Sequence, residues 1–254
     1  MAYYEDEWVT LHHGDCRQVL PELSLTVDCV IADPPYAETS LAWDRWPDGW
    51  PDALISASRS MWCFGSMRMF LDRRDDFTAW KLSQDVIWQK RNGTGLAIDR
   101  FRRVHEHALH WYRGEWSRVH HETPRVAADP AALKRNGNAV RVARAGAHLG
   151  NSTNRSWEDD GTRLMQSVIA APSVRHGGHP TEKPVELLDP LIRYACPPGG
   201  VVLDPFAGSG STAAAARLSG RRSVLIEADE RYCEAIARRL DQGVLQLDEC
   251  EGAP

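Results

Sequence analysis

The six cysteines (Cys16, Cys29, Cys63, Cys196, Cys233 and Cys250) form no CxxC pair and no regular ladder, which argues against a zinc ribbon or a disulfide scaffold. They are expected to be small buried apolar residues. No apolar run approaches the ~20 residues of a membrane span, so no membrane partner is expected. The start, Met1-Ala2-Tyr3-Tyr4-Glu5-Asp6-Glu7, lacks the basic residues of a signal peptide, which makes the cytoplasm the expected location. There is no internal repeat and no low-complexity tract. No Gly-Lys-Ser/Thr follows a glycine-rich turn, so a P-loop is excluded. A zinc helix at His105-Glu106-His107-Ala108-Leu109-His110 would need His at i and i+4, but position 109 is Leu. At ~100° per residue, His110 would point about 140° away from His105. No metal is expected.

What is present is an ordinary globular composition, 43% hydrophobic and 26% charged over 254 residues. That length suits one α/β domain with an insertion, or two small domains. The net charge of -5 conceals an asymmetry: residues 86–178 hold 15 Lys+Arg against 8 Asp+Glu, a surplus of +7 that leaves -12 for the remainder. Clustered positive charge in an acidic protein is a candidate footprint for a polyanion, with a solvated arginine-rich surface as the alternative.

Two Asp-Pro turns lie 171 positions apart, and each ends an apolar run. Val27–Ala32 leads into Asp33-Pro34-Pro35-Tyr36, and Val201–Leu203 leads into Asp204-Pro205-Phe206-Ala207-Gly208-Ser209-Gly210-Ser211-Thr212. Short apolar runs closed by turn residues read as buried strands. Ligands of open α/β sheets bind outside the carboxyl ends of strands. Two decorated strand ends therefore suggest one crevice with two ligands.

Further strands are expected at Trp8–His12, Met61–Phe64, Val86–Trp88, Ala108–Tyr112 and Ser223–Ile226, and helices at residues 16–23, Asp52–Arg59, Glu186–Cys196, Ser211–Leu218 and Glu230–Leu240. The segment 37–50, with Trp43, Trp46 and Trp50, reads as an irregular loop. The β-α-β-α series from 184 onward implies a parallel, doubly wound sheet. From about 113 to 178 the pattern fades; a structureless loop of that length is improbable in a compact domain, so an inserted module or an arm ordered by a partner is expected.

The glycines after Asp204 let the backbone approach a ligand, and the helix that follows offers free N–H groups. Glu227 closes the next strand, 23 residues on, where a carboxylate accepts hydrogen bonds from ribose. The pocket suits an adenosine-containing cofactor. Gly208, Gly210 and Ala213 also satisfy the looser dinucleotide pattern, so a NAD-dependent oxidoreductase stays open by glycine spacing alone. At Asp33–Tyr36 two prolines fix the backbone and remove two N–H donors. A carboxylate, exposed carbonyls and an aromatic face remain, a set suited to an amino group on a flat ring.

Asp-Pro-Pro-Tyr together with Asp-Pro-Phe-Ala-Gly-Ser-Gly resembles the S-adenosylmethionine-dependent DNA amino-methyltransferases. The order, catalytic motif first and cofactor motif late, is similar to the β group of that family. Gly14-Asp15-Cys16, the run Val86–Gly93 followed by His105-Glu106, and His179-Pro180-Thr181-Glu182-Lys183-Pro184 resemble further family elements. The match covers roughly residues 9–112 and 176–240. The resemblance implies an α/β, doubly wound, mostly parallel Rossmann-like methyltransferase sheet with permuted motif order and an inserted recognition region. Residues 1–112 would be the catalytic half, 113–178 the target-recognition insertion, and 179–254 the cofactor-binding half of the same domain.

By the same resemblance Asp33, Pro34, Pro35 and Tyr36 are catalytic. Asp204, Phe206, Ala207, Gly208, Gly210 and Thr212 line the S-adenosylmethionine pocket, Glu227 binds ribose, Asp15 and Cys16 lie at the adenine, and Thr181 and Lys183 meet the methionine carboxylate. Arg100, Arg102, Arg103, Arg135, Arg141 and Arg144 are candidate phosphate contacts on double-stranded DNA. Asp at the first motif position leans toward adenine N6, and cytosine N4 is the alternative. A homodimer and a cognate restriction enzyme stay open, as does a catalytically inactive DNA-binding module.

Overall fold

The computed structural model describes residues 1–94, 99, 101–128, 160–174 and 182–250, with the backbone alone for 91–94 and 243–250. The described strands are β1 (Tyr4–Glu5), β2 (Val9–His13), β3 (Cys29–Ala32), β4 (Ser60–Gly65), β5 (Lys81–Thr94), β6 (Arg103–Tyr112), β7 (Arg125–Ala127), β8 (Thr162–Leu164), β9 (Val168–Ala170), β10 (Val201–Asp204) and β11 (Arg222–Glu227). The described helices are α1 (Cys16–Leu23), α2 (Trp50–Ala53), α3 (Met67–Asp72), α4 (Val185–Ala195), α5 (Ser211–Leu218) and α6 (Glu230–Cys250). The chain divides into a large unit, 1–122 with 167–254, and a small one, 123–166.

Nine strands of the large unit form one sheet in the order β1-β2-β11-β10-β3-β4-β6-β5-β9. The run β2, β11, β10, β3, β4 is parallel throughout. β6 runs antiparallel to both β4 and β5. Both faces are covered, which is why β3 and β4 are buried at every residue and, apart from Ser60, carry no polar side chain. Alternation divides the core between the two faces. Val30, Ala32, Leu203 and Ile226 join Leu20, Trp50, Met61 and Phe77 in one cluster. Leu225, next to Ile226, joins Leu11, Ala213, Cys233 and Ile236 in another. The alanines of α5 need little room, so Ala213, Ala215 and Ala216 are fully buried. Five cysteines, all but Cys250, are free and buried, as expected of small apolar residues.

Several elements differ from the sequence expectation. The helix expected over Asp52–Arg59 is only Trp50–Ala53. It gives way to turns: the Ile55 amide donates to the Asp52 carbonyl at 3.0 Å and the Ala57 amide to the Leu54 carbonyl at 3.0 Å, i to i+3 bonds rather than α-helical ones. Buried Trp50, Leu54 and Ala57 imitate a helical stripe in the sequence. β5 and β6 extend well beyond Val86–Trp88 and Ala108–Tyr112; the first three residues of β6 are exposed and offer no apolar alternation to read. The segment 113–178 also contains β9, which pairs in parallel with β5.

The small unit contains the antiparallel pair β7 and β8. Arg125 Nε donates to Thr162 Oγ1 at 2.6 Å, and Asp160 accepts from the Thr162 amide at 2.9 Å. No helix among the described residues is long and apolar enough to cross a membrane.

Candidate active site

Four adjacent parallel strands end along one edge of the sheet. Val202 pairs with Cys29 and Leu203 with Val30, so the turns at Asp204 and Asp33 leave neighbouring strands side by side. On the other flank Glu227 pairs with His13, and the Gly14 amide donates to the Glu227 carbonyl at 2.8 Å. Asp15, Glu227, Asp204 and Asp33 therefore follow one another across β2, β11, β10 and β3. From β10 the chain winds outward to β11, and from β3 to β4. The crevice lies at the point where strand order reverses, the usual binding place in such sheets. It is a cavity of about 940 Å³.

At its β3 end both oxygens of Asp33 are engaged. Tyr36 Oη donates to Oδ1 at 2.7 Å, and Lys183 Nζ donates to Oδ2. Lys183 also lies 3.6 Å from Glu106 Oε2, and Glu106 is paired with Lys90. Lys90, Glu106, Lys183 and Asp33 thus alternate in charge. The Phe64 ring, 5.1 Å from Lys183 Nζ, packs against this chain of ions. Burial alone would lower the Lys183 pKa, but the Asp33 and Glu106 carboxylates outweigh it and hold the ammonium above its usual value. Burial likewise opposes ionisation of Glu106, and Lys183 and Lys90 reverse the sign, keeping its carboxylate below the ordinary range. Burial and the neighbouring Asp33 raise the Tyr36 phenol well above its usual value, so it stays protonated and donates.

At the β10 end Asp204 holds its own turn. It accepts from the Phe206 amide at 2.9 Å and from Thr212 Oγ1 at 2.5 Å. Burial pushes its carboxyl up to about 7, against the pull of those two donors. Glu227 accepts from the Gly208 amide at 2.8 Å and the Asp229 amide at 2.9 Å. Each oxygen keeps acceptor capacity for a hydroxyl. Burial raises its pKa.

The cavity is lined by all four residues of the first turn and by Asp15, Cys16, Lys183, Asp204, Phe206, Ala207, Gly208, Thr212 and Glu227. Asp15 also caps α1, accepting from the Arg17 amide at 2.9 Å. Lys183, expected at a cofactor carboxylate, is paired with Asp33 and Glu106. Gly210 stands outside the lining at φ 78°, and a Cβ there would lie 3.1 Å from Ile236. Its glycine serves the start of α5 and the close approach of α6. Thr181, Arg100, Arg135, Arg141 and Arg144 lie outside the described residues. Arg102 and Arg103 are exposed; Arg103 lines the cavity and lies 3.4 Å from Glu38.

Several lining residues were not named as site residues from the sequence, although Glu106 and Glu182 lie inside segments that resemble family elements. Glu182 is one: it accepts from Ser211 Oγ at 3.1 Å and from Arg239 at 2.9 Å. Glu38, Trp43, Asp44 and Glu106 are others. The histidines stand on β6 rather than on a helix, so His105 and His107 share a face and His110 lies on the other. His110 bonds to Ser60 and Ser83 inside the core.

A family model described as DNA methylase, of the N6/N4 type, matches residues 27–238. A 62-residue segment, 24% of the chain, is 58% identical to the putative methylase YubD of Escherichia coli strain K12 and spans 27% of that protein. Over 260 aligned residues the chain is 25% identical to the type II methyltransferase M.ScaI of Streptomyces caespitosus, covering 94% of this chain and 83% of that one. The fold is similar to that of M1.HpyAVI, solved as a complex with SAM, with a TM-score of 0.62 and 22% identity over 91% of this chain and 99% of that one.

Proposed function

The chain belongs to the DNA methylase family of the N6/N4 type, and on that footing we propose that it methylates adenine N6 in double-stranded DNA. S-adenosylmethionine is the cofactor, and when bound it supplies an electron-poor methyl carbon on a sulfonium. The donor set fits that group. Glu227 offers acceptors for ribose, Asp15 and Cys16 border the β2 end for adenine, and the Phe206–Gly208 turn allows close backbone approach.

The observation that carries the reading is the pairing of β3 with β10, which sets Asp33 beside the cofactor turn. An exocyclic amine is a weak nucleophile because its lone pair is delocalised into the ring. Asp33 and the Pro34 carbonyl accept its two hydrogens and favour a pyramidal nitrogen with a usable lone pair. Lys183 and Tyr36 fix the Asp33 carboxylate in place beforehand, so positioning and electrostatics supply most of the rate. The Tyr36 ring offers a stacking face for a base turned out of the duplex. Such stacking, worth roughly 1–3 kcal/mol, offsets part of the few kcal/mol that flipping costs. Asp at position 33 favours adenine over cytosine.

The test is incubation of the purified chain with unmethylated duplex DNA and radiolabelled methyl donor, followed by nucleoside chromatography. Label in N6-methyladenine is expected. Label in N4-methylcytosine would move the assignment to the other amine, and no label would contradict the proposal.

A further inference from the structure

The loop between Tyr36 and α2 is built around one carboxylate. Asp44, 3% exposed, accepts from the backbone amides of Ala37 at 2.7 Å, Glu38 at 3.0 Å and Thr39 at 2.7 Å. A buried carboxylate is costly unless it is hydrogen-bonded, and three amides meet that need. Ala37, directly after Tyr36, has φ 57°, a left-handed conformation disfavoured for a residue with a Cβ. Something must hold the chain there, and the Asp44 bond to the Ala37 amide does so.

Other contacts fasten the same loop. The Glu38 carboxylate accepts from Ser66 Oγ and lies 3.4 Å from Arg103. Trp46 Nε1 donates to Asp76 at 2.7 Å. At the far end Arg17, paired with Asp15, donates to the Asp48 carbonyl at 3.1 Å. Thr39, Trp43, Asp44 and Pro47 line the cavity, so the loop is a wall that runs from Tyr36 toward Asp15.

We propose that Asp44 is a positioning residue: by gathering the amides of residues 37–39 it locks the exit from Tyr36 and preforms this wall before substrate enters. The consequence for turnover rests on the methyltransferase reading above, whereas the preformed wall does not.

The test uses the full chain with Asp44→Ala and Asp44→Asn. In Asp44→Ala, kcat for methyl transfer to unmethylated genomic DNA should fall by about tenfold or more, while the Kd for S-adenosylmethionine moves by less than about threefold. Asp44→Asn, with one acceptor oxygen left, should lie between. A folded Asp44→Ala protein with kcat within about twofold of the parent would overturn the proposal. Amide hydrogen exchange tests it even if a variant fails to fold: residues 37–39 should be protected in the unsubstituted free chain, and exchange there at the rate of an open chain would overturn it. An unsubstituted chain that transfers no methyl group would contradict the methyltransferase reading instead, and the exchange result would still decide for or against Asp44.

Discussion

The Lys183 ammonium donates to Oδ2 of Asp33, a residue 150 positions earlier in the chain. The pair joins two segments far apart in the sequence at the β3 end of the cavity. It also explains how a carboxylate set into an apolar strand end is held in one orientation, with Tyr36 on its other oxygen.

Lys183→Met would leave Asp33 and Glu106 buried around a neutral side chain. Breaking a buried ion pair from one side costs about 3–5 kcal/mol, so urea unfolding should show a loss of that order, together with slower methyl transfer. Unchanged stability with loss of cofactor binding alone would return Lys183 to the cofactor carboxylate, where the motif resemblance places it.

Glu227→Ala should act on the cofactor. It removes the acceptor proposed for ribose and releases the Gly208 amide that shapes the turn. Calorimetry should show Kd for S-adenosylmethionine rising about tenfold or more, equivalent to ~1.4 kcal/mol. The rate at saturating cofactor should change far less. An unchanged Kd would remove Glu227 from the cofactor site.

Asp204 makes a prediction in pH. Its folded pKa of about 7 lies above the ordinary carboxylate value, so the folded chain holds this proton more tightly than the unfolded chain. Its contribution to stability is greatest at low pH and is lost as pH rises through about 7. Asp204→Asn has no such proton. The unfolding free energy of the variant relative to the parent should therefore rise between pH 5 and pH 8, by on the order of 2 kcal/mol. A difference that does not vary with pH would contradict the assigned burial of this charge.

The parts of the site legible in the sequence are those whose physics is local. A parallel strand buried on both faces reads as a short apolar run, so Cys29–Ala32 and Val201–Leu203 stand out, and the turn chemistry after each follows directly. Asp204 and Glu227 were legible through their spacing in one β-α-β unit. The pairing of Lys183 with Asp33 and Glu106 was not, because the three residues come from segments far apart in the sequence. Asp44 was one aspartate among several in a loop without periodicity, and only the folded backbone brings three amides to it. The helix expected after Trp50 failed because three buried side chains, Trp50, Leu54 and Ala57, share a helical spacing with a series of turns.

The central claim is that Asp33 engages the amine that receives the methyl group. Modified-base sequencing of DNA from cells expressing the chain, beside cells expressing Asp33→Ala, tests it most directly. The account predicts N6-methyladenine at one short recurring sequence with the unsubstituted chain, and none with Asp33→Ala although the variant still binds S-adenosylmethionine. Full modification by Asp33→Ala, or no modified adenine or cytosine with the unsubstituted chain, would contradict it.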